Sequence, residues 1–182
     1  MTEADEKPET EPPSASPARH VAIDLDPCPD DCRELLARAA RRTLRQERRT
    51  RGSLAIAVVS DAEMRRQHER WLGRDASTDV LTFDLRDRPG PDSVDGQIVV
   101  SSGTARRRAR RRGIDWRREL ALYVVHGCLH LCGYDDRESE AFERMHARED
   151  EILSGLGLGR VFGVRPRRPA SAEKPRSRSR RP

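Results

Sequence analysis

Lysine is almost missing from this 182-residue chain. Of 36 basic side chains only Lys7 and Lys174 are lysine, and the rest are arginine. A GC-rich genome and a polyanionic partner both produce that bias, and the net charge of +5 with a pI of about 9.5 suits the second. Long hydrophobic runs are missing too. No apolar stretch approaches the roughly 20 residues of a membrane span, so no membrane partner is expected. No basic-then-apolar pattern opens the sequence, so no secretory signal is expected there and a cytoplasmic location is the expectation. Cysteine is scarce, with four residues in two Cys-x3-Cys pairs, Cys28/Cys32 and Cys128/Cys132. A cytosolic setting argues against structural disulfides. The spacing leaves a four-cysteine zinc site open. Yet Cys128 and Cys132 sit two residues, about 200° of helix, away from two histidines in the same run. That places them towards a core, where thiols pack as small hydrophobes.

What is present is polar: 37% charged against 35% hydrophobic residues. Residues 1–18 form an acidic tail rich in Pro, Ser and Thr, and residues 163–182 a basic Pro/Ser-rich one. Both compositions predict disorder, and the basic tail predicts salt-sensitive nucleic-acid contact. Residues 19–162 remain, roughly 140 residues, enough for one core. Within them the patterns alternate. A short strand at His20–Asp26 precedes a helix capped by Asp30 or Asp31, with Leu35, Leu36, Ala39, Ala40, Thr43 and Leu44 as its apolar stripe. The other face of that helix carries Arg38, Arg41, Arg42 and Arg45. A buried strand, Ser53–Ser60, leads to a helix capped by Asp61 and running to Trp71. Strands follow at Ser77–Leu85 and Asp95–Ser101, where Gly96 marks a bulge or a close backbone approach.

A helix over Ser102–Arg112 carries six arginines in seven positions, 106 to 112. It is stopped by Gly113 and reads as either a solvated face or an RNA contact. Asp115 caps a helix that is apolar nearly all round and runs to about Leu131, so it is buried. A last helix spans Glu138 to about Leu156, with Phe142, Met145, Ile152 and Leu153 inward and His146 at the surface. The order predicts an α+β fold: one compact domain with a small mixed four-stranded sheet packed by about five helices.

The chemistry concentrates in His126-Gly-Cys-Leu-His130-Leu-Cys-Gly133-Tyr134-Asp135-Asp136. Histidines four apart share one helix face. Gly133 allows a left-handed turn that brings a carboxylate back to them. Two His and one Asp form a three-ligand set with a position left open for water or substrate. An i,i+4 His pair alone is as often structural, but the following Gly-x-x-Asp favours the metal reading. His126, His130 and Asp136 are thus the candidate ligands, with Asp135 an alternative ligand or a hydrogen-bonding support. The His-Glu-x-x-His pattern of zinc proteases lacks its glutamate here. That position is Gly127, which argues against peptide hydrolysis.

The His126–Asp135 segment closely resembles the signature of the YbeY family of bacterial endoribonucleases. Thr78-Asp79-Val80-Leu81-Thr82-Phe83 resembles its second motif. Asp95-Gly-Gln-Ile-Val-Val-Ser101 resembles its third, and Met145 with Glu149-x-x-Ile152-Leu153 also fits. The resemblance covers residues 20–155. It implies one zinc ion per chain and a single-strand-specific endoribonuclease acting in 16S rRNA 3′-end maturation and ribosome quality control. The implied partners are an rRNA precursor and the small ribosomal subunit, with no nucleotide cofactor. Two positions depart from the family pattern. Asp136 stands where the family has a third histidine, and Leu72 where it tends to have an arginine, flanked here by Arg70 and Arg74. An Asp ligand makes a bound water less acidic than three imidazoles would, and tilts preference slightly towards Mn²⁺ or similar ions. The catalytic residues stay open, with Asp135, Asp79, Arg70 and Arg74 as candidates. The alternative is a non-catalytic, metal-stabilised ribosome-assembly factor that binds rRNA. A metal hydrolase of some other substrate is a third and weaker reading.

Overall fold

A computed structural model describes residues 20–72, 78–88 and 90–162. Both tails and Arg74 lie outside the described residues. The elements are β1 (Val21–Leu25), α1 (Asp30–Gln46), β2 (Arg51–Val59), α2 (Asp61–Leu72), β3 (Val80–Asp84), β4 (Ser93–Ser101), α3 (Ser102–Arg112), α4 (Trp116–Leu131) and α5 (Ser139–Gly155). This is the α+β domain the patterning predicts, with five helices on one mixed sheet.

The sheet order is β1-β2-β4-β3. β1, β2 and β4 are parallel, and β3 runs antiparallel along β4 from Val80↔Val100 to Asp84↔Gly96. Among the described residues β3 pairs with β4 alone and forms the edge of the sheet. The near-continuous apolar run in β2 has a direct cause. Leu54, Ile56 and Val58 face the main core under α1 and α4, while Ala57 and Val59 face a second cluster with Met64, Leu81 and Val99. Met64 belongs to α2, which therefore covers the opposite face. A strand covered on both sides cannot alternate.

α4 is the central element, with eleven buried residues from Glu119 to Leu131. Two glycines let it lie close to the sheet. A Cβ on Gly127 would come within 2.9 Å of Ile98 and 3.0 Å of Thr82 Oγ1. One on Gly96 would meet the Phe83 carbonyl oxygen at 2.8 Å and Leu131 at 2.9 Å. Gly96 is thus a close approach, and the β2–β4 register runs through it without a bulge.

Several local expectations need correction. Neither Asp30 nor Asp31 caps α1. Pro29 takes that position without a side-chain bond, and the two acids lie in the first turn, where they favour the helix dipole. Ser60, not Asp61, caps α2, its Oγ accepting the Glu63 N–H at 3.2 Å. Asp61 instead crosses to α3. It accepts from Ser101 Oγ at 2.5 Å, from Thr104 Oγ1 at 3.3 Å and from Arg107. Phe142 is 45% exposed, whereas Met145, Ile152 and Leu153 are fully buried. The stop at Gly113 and the α4 cap at Asp115 are as expected, and Ser101, the last residue of β4, adds an N-cap to α3 that the patterning does not name. Ser101 Oγ accepts the Thr104 N–H, Gly113 takes a left-handed φ of 65°, and Asp115 accepts the Arg117 N–H at 2.8 Å.

Candidate metal centre

The last turn of α4 sets the site. His126 and His130 project from one face, with ring centres 4.5 Å apart. The helix then ends at Cys132, and Gly133 adopts φ 97°, a conformation that suits glycine. The reversal brings the Tyr134 carbonyl onto His130 Nδ1 at 3.0 Å. Asp135 Oδ1 accepts the backbone N–H groups of Asp136 and Arg137 at 2.8 and 3.2 Å. It therefore braces the turn and bonds to neither histidine. Asp136 faces inward, its Oδ2 3.8 Å from His126 Nε2. One ligand atom from each of His126, His130 and Asp136 lies within 4.8 Å of the others, so this group is able to hold a metal ion.

The tautomers sharpen that statement. A carbonyl oxygen only accepts, so His130 Nδ1 must carry the proton it shares with Tyr134. His126 Nδ1 lies 2.7 Å from Oε1 of Glu149, a carboxylate with no solvent exposure. It too must be protonated. In the neutral rings both Nε2 atoms then present bare lone pairs, and they face each other at 3.0 Å. Two such lone pairs repel unless a proton or a metal cation lies between them; a proton there makes the 3.0 Å contact an N–H···N hydrogen bond, and a metal ion takes that proton's place. Tetrahedral zinc, with bonds of about 2.0–2.1 Å, holds its ligand atoms roughly 3.3 Å apart. The observed 3.0 and 3.8 Å bracket that value. The donor set therefore fits a divalent ion. Burial opposes the charged form of His126. The hydrogen bond and charge of Glu149, with the charges of Asp136 and Asp79, outweigh it and raise the pKa above the ordinary histidine value.

Opposite the histidines lies the edge strand β3. A cleft of about 510 Å³ runs between Thr78–Thr82 and Asp84 on one wall and His126, His130, Leu131 and Asp136 on the other. Asp79 lines it, but its carboxylate is held by Arg108 of α3 at 2.9 Å. Arg70 does not line it; its guanidinium lies 5.4 Å from the ring centre of its neighbour Trp71. Gly127 faces the sheet, which leaves no room for the glutamate of a zinc protease at that position.

Sequence reasoning overlooked one layer of the site. Glu149 of α5 touches His126 through Oε1 and His146 Nδ1 through Oε2, at 2.7 and 2.6 Å. His146 is accordingly not a surface residue, its side chain being 13% exposed. A signal was available. Met145, Glu149, Ile152 and Leu153 fall at helical spacing on one face, and a glutamate inside an apolar stripe needs a partner. The basic helix is also more occupied than its composition suggests. Arg107 and Arg108 pair with Asp61 and Asp79, and Arg112 reaches the buried Glu119 at 3.0 Å. Arg106 stacks 3.6 Å over Trp116, while Arg110 and Arg111 are exposed.

Fold and site together define a class: a small α+β domain in which a buried helix and the turn after it present a His-His-Asp donor set to a cleft beside the edge strand β3. Comparison with known proteins makes this more specific. The family model described as Endoribonuclease YbeY matches residues 21–157, and the chain belongs to that family, whose members are RNA-cleaving hydrolases. The Endoribonuclease YbeY of Anaeromyxobacter sp. is 39% identical over 110 residues, 60% of this chain and 57% of that protein. Those of Moorella thermoacetica and Acidothermus cellulolyticus are 39% and 38% identical, over 59% and 63% of this chain and 74% and 77% of theirs. A solved structure, TM1509 from Thermotoga maritima, aligns with a TM-score of 0.54 at 25% identity. It covers 75% of this chain and 91% of that one.

Proposed function

We propose that this chain is a metal-dependent, single-strand-specific endoribonuclease acting in the cytoplasm on rRNA precursors. Its place is 16S rRNA 3′-end maturation and ribosome quality control, on or near the small subunit. The observation that carries the metal dependence is the convergence of His126 Nε2, His130 Nε2 and an Asp136 carboxylate oxygen, with the two nitrogens 3.0 Å apart and Asp136 Oδ2 3.8 Å from His126 Nε2. Zinc is the default ion for two imidazoles and one carboxylate. Bound there, it would supply Lewis-acid stabilisation to a phosphate and acidity to a water.

The remaining work falls to the chain. β3 lines the cleft along which a single strand can lie, with Thr78 and Thr82 in it. Asp79 is the carboxylate outside the donor set that is best placed to accept a proton from a 2′-hydroxyl or a water. Arg108, its ion-pair partner, is placed to take up negative charge at the phosphate as that proton moves. The exposed Arg106, Arg110 and Arg111 of α3 and the basic tail attract the RNA backbone.

The non-catalytic reading has its own support. Asp135 is committed to its backbone turn and Asp79 to Arg108, so neither candidate base is free. Incubating metal-replete protein with a 16S precursor fragment separates the two readings. Under the nuclease reading, His130→Ala of unchanged fold and metal-stripped wild type lose more than about 100-fold in cleavage, beyond the 10–100-fold typical of outer supports. Equal cleavage in all three samples, or none in any with RNA binding retained, removes the nuclease reading.

A further inference from the structure

We propose that Glu149 and His146 are positioning residues of the metal centre, forming a buried chain that fixes His126 from behind. The inference rests on the reading that a divalent ion occupies His126, His130 and Asp136.

The geometry is a relay of single contacts. Glu149, fully buried on α5, takes the His126 Nδ1–H on one carboxylate oxygen and the His146 Nδ1–H on the other, at 2.7 and 2.6 Å. Its charge therefore points the bare Nε2 of His126 at the ion site and excludes the other tautomer. His146 is held in turn. Its ring stacks on Phe162, with centres 3.8 Å apart and planes 22° apart, and meets Phe142 edge-on. Phe162 is itself tied to α5, because Asp150 Oδ1 accepts the backbone N–H groups of Val161 and Phe162 at 2.7 and 3.1 Å. The segment after α5 thus reaches the donor set through four links: Asp150, Phe162, His146 and Glu149. The exposure of Phe142, unexpected for a core residue, fits its place as an outer wall of the His146 slot.

Charge supports the assignment. A fully buried carboxylate demands a compensating cation nearby. Both Glu149 oxygens meet imidazoles rather than arginines. A divalent ion at the donor set, balanced by Asp136 and Glu149 together, leaves the centre neutral. Asp135, the sequence-based candidate for this support, instead holds the Asp136–Arg137 turn and pairs with the Arg137 side chain.

The test is zinc affinity, measured by competition with a chromophoric chelator on the full-length chain, together with the visible spectrum of the cobalt-loaded protein. Glu149→Gln is expected to weaken zinc binding 10–100-fold and to alter the cobalt bands. His146→Ala is expected to weaken it by less, about 10-fold, and His146→Asn, which keeps a donor near Nδ1, to restore much of the loss. Each variant is compared at equal folded fraction by urea titration. His146→Ala, near the surface end of the chain, serves if Glu149→Gln does not fold. Zinc affinities and cobalt spectra matching wild type in the folded variants overturn the proposal and leave the metal reading standing. Failure of the wild type to bind zinc or cobalt overturns both.

Discussion

Replacing Gly127 by alanine adds one methyl group where α4 meets the sheet, beside a candidate ligand. The new Cβ would stand 2.9 Å from two carbons of Ile98 and 3.0 Å from Thr82 Oγ1. Ordinary carbon contacts lie at about 3.5–4.0 Å, so Ile98 must leave its rotamer or the helix must lift. Overpacking of this kind costs about 1–3 kcal/mol. The alanine returns about 0.5–1 kcal/mol because glycine is a poor helix former. The net expectation is a loss of about 1–2 kcal/mol, or about 3–7 °C in melting temperature for a domain of this size. Because His126 is the next residue and Thr82 lines the cleft, lifting the helix also widens the gap between donor set and β3. Urea titration and a thermal melt of Gly127→Ala against wild type provide the measurement. An unchanged or raised midpoint refutes the packing argument, and with it the reason a protease-type glutamate is excluded at this position.

Three further outcomes follow from the same structure. Contacts from Arg107, Ser101 and Thr104 outweigh burial and hold the Asp61 carboxyl at about 2, below its usual 3.8, so its stabilisation is complete above pH 3.8 and is lost as pH falls towards 2. At 30% side-chain exposure, the ceiling of about 2 kcal/mol is screened to about 1. Asp61→Asn should therefore be less stable at neutral pH and show a flatter acid limb, and an unchanged limb in urea midpoints across that window contradicts this. Arg112→Ala leaves the fully buried Glu119, among the described residues, with the Tyr123 hydroxyl at 3.3 Å as its side-chain donor. It should cost about 2–3 kcal/mol, near the low end for stranding a buried charge, and a loss under about 0.5 kcal/mol by denaturant titration contradicts that. Deleting residues 164–182 should weaken RNA binding and reduce the log–log salt slope by about 0.7 for each phosphate contact removed. An unchanged slope reassigns RNA contact to the folded domain, with exposed Arg106, Arg110 and Arg111 the first residues to test.

What was legible in the sequence is what local chemistry decides. α3 begins and ends at the expected residues because Ser101 and Gly113 act within their own turns. The His126–Asp136 cluster was readable because one helix turn and one reversal generate it. What escaped depends on distant partners. Glu149 meets His126 across 23 residues, and Asp61 meets Ser101 across 40. No window of sequence contains either pair. Aspartate before a helix usually caps it, but α3 competes for Asp61 and Ser60 serves instead. Periodicity points Phe142 inward, yet its ring goes to His146, at the margin of the core.

Zinc content and affinity per chain, in wild type and in Asp136→Ala, test the central claim most directly. The account predicts close to one ion per wild-type chain. It also predicts substoichiometric, at least about 10-fold weaker binding in the variant, since two imidazoles alone make an incomplete set. Equal zinc binding by both proteins removes Asp136 from the donor set, and binding by neither removes the metal centre.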